Sequence, residues 1–189
     1  MNDLTPAVAN VDKAWIQTAS GGKFHILDPR LDEIHITDIA HALSMMCRFT
    51  GHVRKFYSVA EHSYHASTIV PKEDALWALL HDSPEAYIAD MNRPLKHFTN
   101  VGHTYIAIEE TIMSSICKKF HLPEEAPESV KIADRLMLYT EKAQLMPPMD
   151  WEHKWSEDEK AADCQVFGWL PKQAETMFLY RYYELTKHL

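Results

Sequence analysis

Apolar residues recur along this chain at steps of three and four, the spacing that lines one face of a helix. In "TDIAHALSMMCRF", Ile39, Leu43 and Met46 keep that step, with Thr37 as a candidate cap. "VAEHSYHASTIV" predicts a second short helix stopped by Pro71, and "KEDALWALLHD" a third. Ser83, Pro84 and Glu85 then read as an N-cap, a proline at the first helical position and an acid in the first turn. In "TYIAIEETIMSSICKKF", Tyr105, Ile108, Ile112, Ile116 and Phe120 form one stripe, with acids early and Lys118-Lys119 late, as a helix dipole favours. "PESVKIADRLMLYTEKAQLM" predicts a long helix ending at Pro147-Pro148. "DWEHKWSEDEK" reads as a surface loop leading into a helix capped by Ser156. A last helix from Pro171 places Ala174, Phe178, Tyr182 and Leu185 on one face. Alternating β-branched runs are absent, and only "GGKFHILDPR" suggests a short hairpin. No repeat, linker or low-complexity tract divides the chain. The pattern predicts a single all-α domain over residues 1–189, with about seven or eight helices.

Composition narrows the function classes. The 189 residues suffice for one sizeable core, with 46% hydrophobic and 24% charged residues. No apolar run approaches the roughly 18 residues of a membrane span, and the N-terminus has no secretory pattern. Cys47, Cys117 and Cys164 are an odd, unpaired set, which fits reduced thiols and a cytoplasmic setting. The net charge is −8 with no Lys/Arg block, so no nucleic-acid polymer is expected as partner, whereas a small anion beside a cation remains compatible.

His62, His81, Asp82 and Asp134 carry the chemistry. Each falls on a predicted helix among apolar neighbours: Val59-Ala60, Leu79-Leu80 and Ile132-Ala133. Such groups are costly to bury unless something binds them. Two imidazoles and two carboxylates make a mixed nitrogen and oxygen donor set suited to a divalent transition metal, with positions left for water and substrate. Taken singly, each reads more simply as an ordinary hydrogen-bonded or exposed polar residue. "GGKF" lacks the glycine spacing and the Ser/Thr of a phosphate-binding loop, and no serine or cysteine stands in a convincing nucleophile context.

The order His62, His81-Asp82, Asp134 resembles the H…HD…D signature of the HD-domain metal-dependent phosphohydrolases. "CRFTGHVRKFYSVAEHS", "LLHDSPEAYIAD" and "RPLK" are similar to the subgroup holding the YfbR-type 5′-deoxynucleotidases and the phage dATP triphosphohydrolases, over residues 37–140 or so. The resemblance implies an HD-domain helical bundle and a divalent metal (manganese, cobalt, zinc or magnesium) on His62, His81, Asp82 and Asp134. It implies Glu85 as the acid that orients or deprotonates water and Asp90 as a second catalytic acid. Arg48 and Lys96 then bind phosphate, and Phe49 packs on sugar or base. It further implies a small 2′-deoxynucleotide substrate cleaved at the 5′ oxygen, in a bacterial or phage-infected cytoplasm, by a homo-oligomeric enzyme. Both the monophosphate, releasing orthophosphate, and the triphosphate fit these motifs. A lean toward a purine triphosphate such as dATP rests on Gly51 and on Arg54-Lys55 as extra room and charge. Two rivals stay open: a di-iron oxygenase drawing on His97, His103 and His121, and a non-catalytic nucleotide-binding module with a vestigial site.

Overall fold

The computed structural model describes residues 11–149 and 161–187, and it is mostly helical. A small antiparallel hairpin, β1 (Trp15–Gln17) with β2 (Lys23–His25), precedes the helices and pairs Ile16 with Phe24. The eight α-helices among the described residues are α1 (Ile36–Met45), α2 (Val59–Thr68), α3 (Ala75–Leu80), α4 (Glu85–Ile88), α5 (Arg93–Phe98), α6 (Asn100–Phe120), α7 (Glu128–Leu145) and α8 (Pro171–Thr186). The hairpin lies within the predicted "GGKFHILDPR" region in its second strand only; the first strand precedes it.

The centre of the fold is α2, enclosed by α1, α3, α7 and α8. Val59, Ala60 and Ala66 supply its apolar contacts, but Glu61, His62, Ser63, His65 and Ser67 are buried with them. Ser58 caps this helix, its Oγ accepting the Glu61 amide at 3.1 Å. Leu79 and Leu80 of α3, Ile112 and Ile116 of α6, and Ala174 and Phe178 of α8 complete the main core. The expected stripes on α6 and α8 therefore do face inward.

Glu61 explains part of that buried polarity. Its carboxylate accepts the amides of Phe167, Gly168 and Trp169 at 2.7, 2.8 and 2.6 Å. The irregular segment 161–170 is thereby fastened to α2, and no helix forms there. Ser156 lies outside the described residues. Two other expected caps do not form. His35, not Thr37, stands at the N-cap of α1. Pro84 occupies the N-cap of α4, and the Ser83 hydroxyl is buried without a partner. The helix α5 has no apolar stripe of its own; Asn92 caps it, its side chain accepting the Leu95 amide at 3.2 Å.

Candidate metal centre

Three elements converge at one end of α2. His62 comes from the buried face of α2, His81 and Asp82 from the turn that closes α3, and Asp134 from the first half of α7. His62 Nε2 lies 3.2 Å from His81 Nε2, 3.2 Å from Asp134 Oδ1 and 3.5 Å from Asp82 Oδ2. His81 Nε2 lies 3.2 Å from Asp82 Oδ1 and 3.9 Å from Asp134 Oδ1. One donor atom from each of His62, His81 and Asp82 falls within 4.8 Å of the others, a spacing that can hold a metal ion. Three of the four residues expected from the sequence form this mutual group, and Asp134 adjoins it through the two imidazoles.

The far side of each imidazole is also occupied. His81 Nδ1 donates to the Ala78 carbonyl at 2.7 Å, which leaves Nε2 as the free nitrogen. His62 Nδ1 lies 2.5 Å from Glu141 Oε1. Glu141 is wholly buried, and it also accepts the Tyr57 hydroxyl at 2.9 Å and Arg48 Nε at 3.1 Å. Nothing in the sequence reading singled out Glu141 or Tyr57. The available signal was spacing: Glu141 follows Asp134 by seven residues on α7, two turns along one face.

These charges act on one another. Burial and the Arg48 guanidinium oppose a charged His62, but Glu141 and Asp134 outweigh them and push it up to about 9. Asp134 is held well below the usual carboxylate range: burial opposes this, and the hydrogen bond and charge of His62 prevail. In the metal-free protein a proton on His62 thus sits among the carboxylates where a cation would.

Glu85 begins α4 three residues after Asp82. It is buried, its Oε2 has no hydrogen-bond partner, and burial, then the charges of Asp82 and Asp90, raise its carboxyl well above the usual range. Asp90 is half-buried and also raised, first by burial, with Asp82 adding to it. Between them Ala89 adopts a positive φ of 65°, and its carbonyl accepts the Tyr105 hydroxyl at 2.5 Å. A non-glycine residue in that conformation is strained, and it turns the chain at the end of α4. Glu85, Tyr105 and Ile108 line a cleft of about 700 Å³, otherwise walled mainly by apolar side chains such as Met46, Ile88 and Val101.

Arg48 lies against the cluster, ion-paired to Asp82 at 3.4 Å and Glu141 at 3.1 Å, with its guanidinium 5.6 Å from the Phe49 ring centre. Phe49, Thr50 and Gly51 all take positive φ in the turn that follows. Lys96 is paired to Glu109 at 2.6 Å and sits 5.4 Å from the Tyr105 ring centre, on the Asp90 side. Arg54 and Lys55 point elsewhere: Arg54 donates to the Gln144 and Leu145 carbonyls, Lys55 to those of Val166 and Phe167. His97, His103 and His121 are exposed, and among the described residues none joins the donor cluster.

A pair of imidazoles, one buried and one half-buried, with two carboxylates beside them and their outer nitrogens fixed by an acid and a carbonyl, defines a helical protein with a candidate divalent-metal centre. No protein-family model matches the chain. It is 38% identical over 177 residues to Uncharacterized protein YfdR of Escherichia coli K12, covering 92% of this chain and 97% of that protein, and it belongs to the YfdR family. An uncharacterized protein of Rhodobacter capsulatus is 33% identical over 130 residues, covering 64% of this chain and 65% of that protein.

Proposed function

We propose that this protein is an HD-type metal-dependent phosphohydrolase that removes the 5′ phosphate group of small 2′-deoxynucleotides. The observation that carries the reading is the convergence of His62, His81, Asp82 and Asp134 with both imidazole Nε2 atoms turned inward. This donor set fits a divalent cation: it offers two nitrogens and two carboxylates, and its charge balance already draws a proton onto His62. Such a cation would neutralise charge on a phosphate oxygen and make water more acidic.

The chain's own residues supply the rest. Arg48 exchanges Asp82, and Lys96 exchanges Glu109, for phosphate oxygens, and both grip them by charge-assisted hydrogen bonds while Glu141 keeps hold of Arg48 Nε. Glu85, once ionised, accepts the proton of the attacking water; its buried oxygen has no other partner, and its raised affinity for a proton suits a base. Asp90, beside it, returns a proton toward the leaving 5′ oxygen. The apolar cleft lined by Glu85 takes the base, and Phe49, outside that lining and beside Arg48, is left to meet the sugar.

On phosphate length, Arg54 and Lys55 are directed onto backbone carbonyls and not toward the cluster, which weakens the argument for a triphosphate. Asp82, Glu85, Asp90, Glu109, Asp134 and Glu141 already outnumber Arg48 and Lys96, which favours the monophosphate. The test is a panel of deoxynucleoside mono-, di- and triphosphates with products identified by mass, each with and without a chelator. Chelator-sensitive release of orthophosphate from monophosphates is expected. Tripolyphosphate release would instead restore the longer substrate, and no turnover with any metal would remove the enzymatic reading.

A further inference from the structure

We propose that Glu141 is a positioning residue that fixes the His62 ring with its proton on Nδ1, so that Nε2 faces the centre, and that anchors Arg48 in the same grip. The inference rests on the metal reading above and goes beyond it to a residue outside the donor set. Glu141 is wholly buried in mid-helix, where a lone carboxylate would be very costly. Its lone pairs are taken by three donors from two other segments: Oε1 accepts His62 Nδ1 at 2.5 Å and the Tyr57 hydroxyl at 2.9 Å, and Oε2 accepts Arg48 Nε at 3.1 Å. A carboxylate held by Arg48 and Tyr57 can only accept from the ring, so Nδ1 must carry hydrogen and the other nitrogen is left to face Asp134 and His81.

The same carboxylate restrains the arginine. Arg48 spans Glu141 through Nε and Asp82 through Nη1, so one side chain of α7 orients both a metal donor and the cation that meets the phosphate. A merely neutralising role would predict no preference between the two His62 nitrogens.

The experiment needs only the metal, with ¹¹³Cd²⁺ as the probe. In ¹⁵N-labelled wild-type protein loaded with ¹¹³Cd²⁺, the coupling is expected on His62 Nε2 with the proton retained on Nδ1. In Glu141→Gln, the amide cannot accept from both His62 and Arg48, and Cd²⁺ affinity should fall about 10–100-fold, the usual effect of losing such a partner. Leu145→Ala, a core truncation one turn along α7, controls for lost stability and should keep wild-type affinity. Should Glu141→Gln fail to fold, the wild-type spectrum decides alone. Metal coupling on Nδ1, or wild-type affinity in Glu141→Gln, overturns the proposal while leaving the metal centre intact. No Cd²⁺ binding to wild type overturns both.

Discussion

Glu85 holds a carboxyl oxygen in the interior with nothing to bond, and that cost is measurable without any substrate. Its folded-state carboxyl lies well above the usual range, through burial and then Asp82 and Asp90. As pH rises through the ordinary carboxylate range, the unfolded chain therefore ionises first. The stability that protonated Glu85 permits is present in acid and lost as pH climbs. Glu85→Gln removes the ionisation and keeps the shape. The metal-free variant is expected to match wild type at acid pH and to exceed it at pH 8 by about 1–3 kcal/mol, the cost of an unpartnered buried polar group. Thermal melts in chelator at several pH values provide the check; equal or lower stability of the variant at pH 8 would refute the account. Asp82 answers a different question at the same scale. Asp82→Ala should keep the helical circular-dichroism spectrum yet lose bound metal by elemental analysis, and full retention of metal would sink the four-residue assignment.

At the scale of elements, the junction of α5 and α6 carries Lys96 to the acids through a backbone approach that tolerates no side chain. A Cβ on Gly102 would lie 2.0 Å from the Lys96 carbonyl oxygen and 2.5 Å from that of Leu95. Thr99 caps α6 onto the same glycine, its Oγ1 accepting the Gly102 amide at 3.1 Å. Gly102→Ala must push α5 away, at a cost of about 1–3 kcal/mol for overpacking. Hydrogen exchange should rise in α5 and the start of α6 and stay unchanged in α2, and uniform protection across the variant would contradict this. The sequence showed α6, α7 and α8 because each carries an apolar stripe against a polar back. It could not show α5, held by a cap and this close approach, nor the failure of Ser83 to cap α4, where Pro84 takes that position. It also hid the central place of α2, whose polar residues look exposed until Glu61 is seen to bind three amides and His62 to bind Glu141. The donor residues were legible because acids and imidazoles stood beside apolar runs. Glu141 was not, since a glutamate followed by lysine on a long helix ordinarily faces water.

Over the whole molecule, two regions of unlike chemistry meet at Glu85. On one side is the charged cluster of His62, His81, Asp82, Asp134 and Arg48; on the other is the cleft of about 700 Å³ between α1, α4 and α6. No helix among the described residues is long and apolar enough to cross a membrane. In the proposed function the cluster handles the phosphoester, which every substrate shares, and the cleft handles the nucleoside. Filling the cleft should then separate the two. Thr104 lines it from an exposed position on α6, so Thr104→Trp adds bulk there without disturbing the core. For deoxynucleotides the variant should raise KM about tenfold or more with little change in kcat, the pattern of lost uniform binding. For a small phosphoester whose leaving group does not reach the cleft, kcat/KM should stay near wild type. Parallel losses on both substrates would mean that the substitution disturbs the charged cluster itself. An unchanged KM for the nucleotides would place the nucleoside outside the cleft, on the Phe49 side of Arg48.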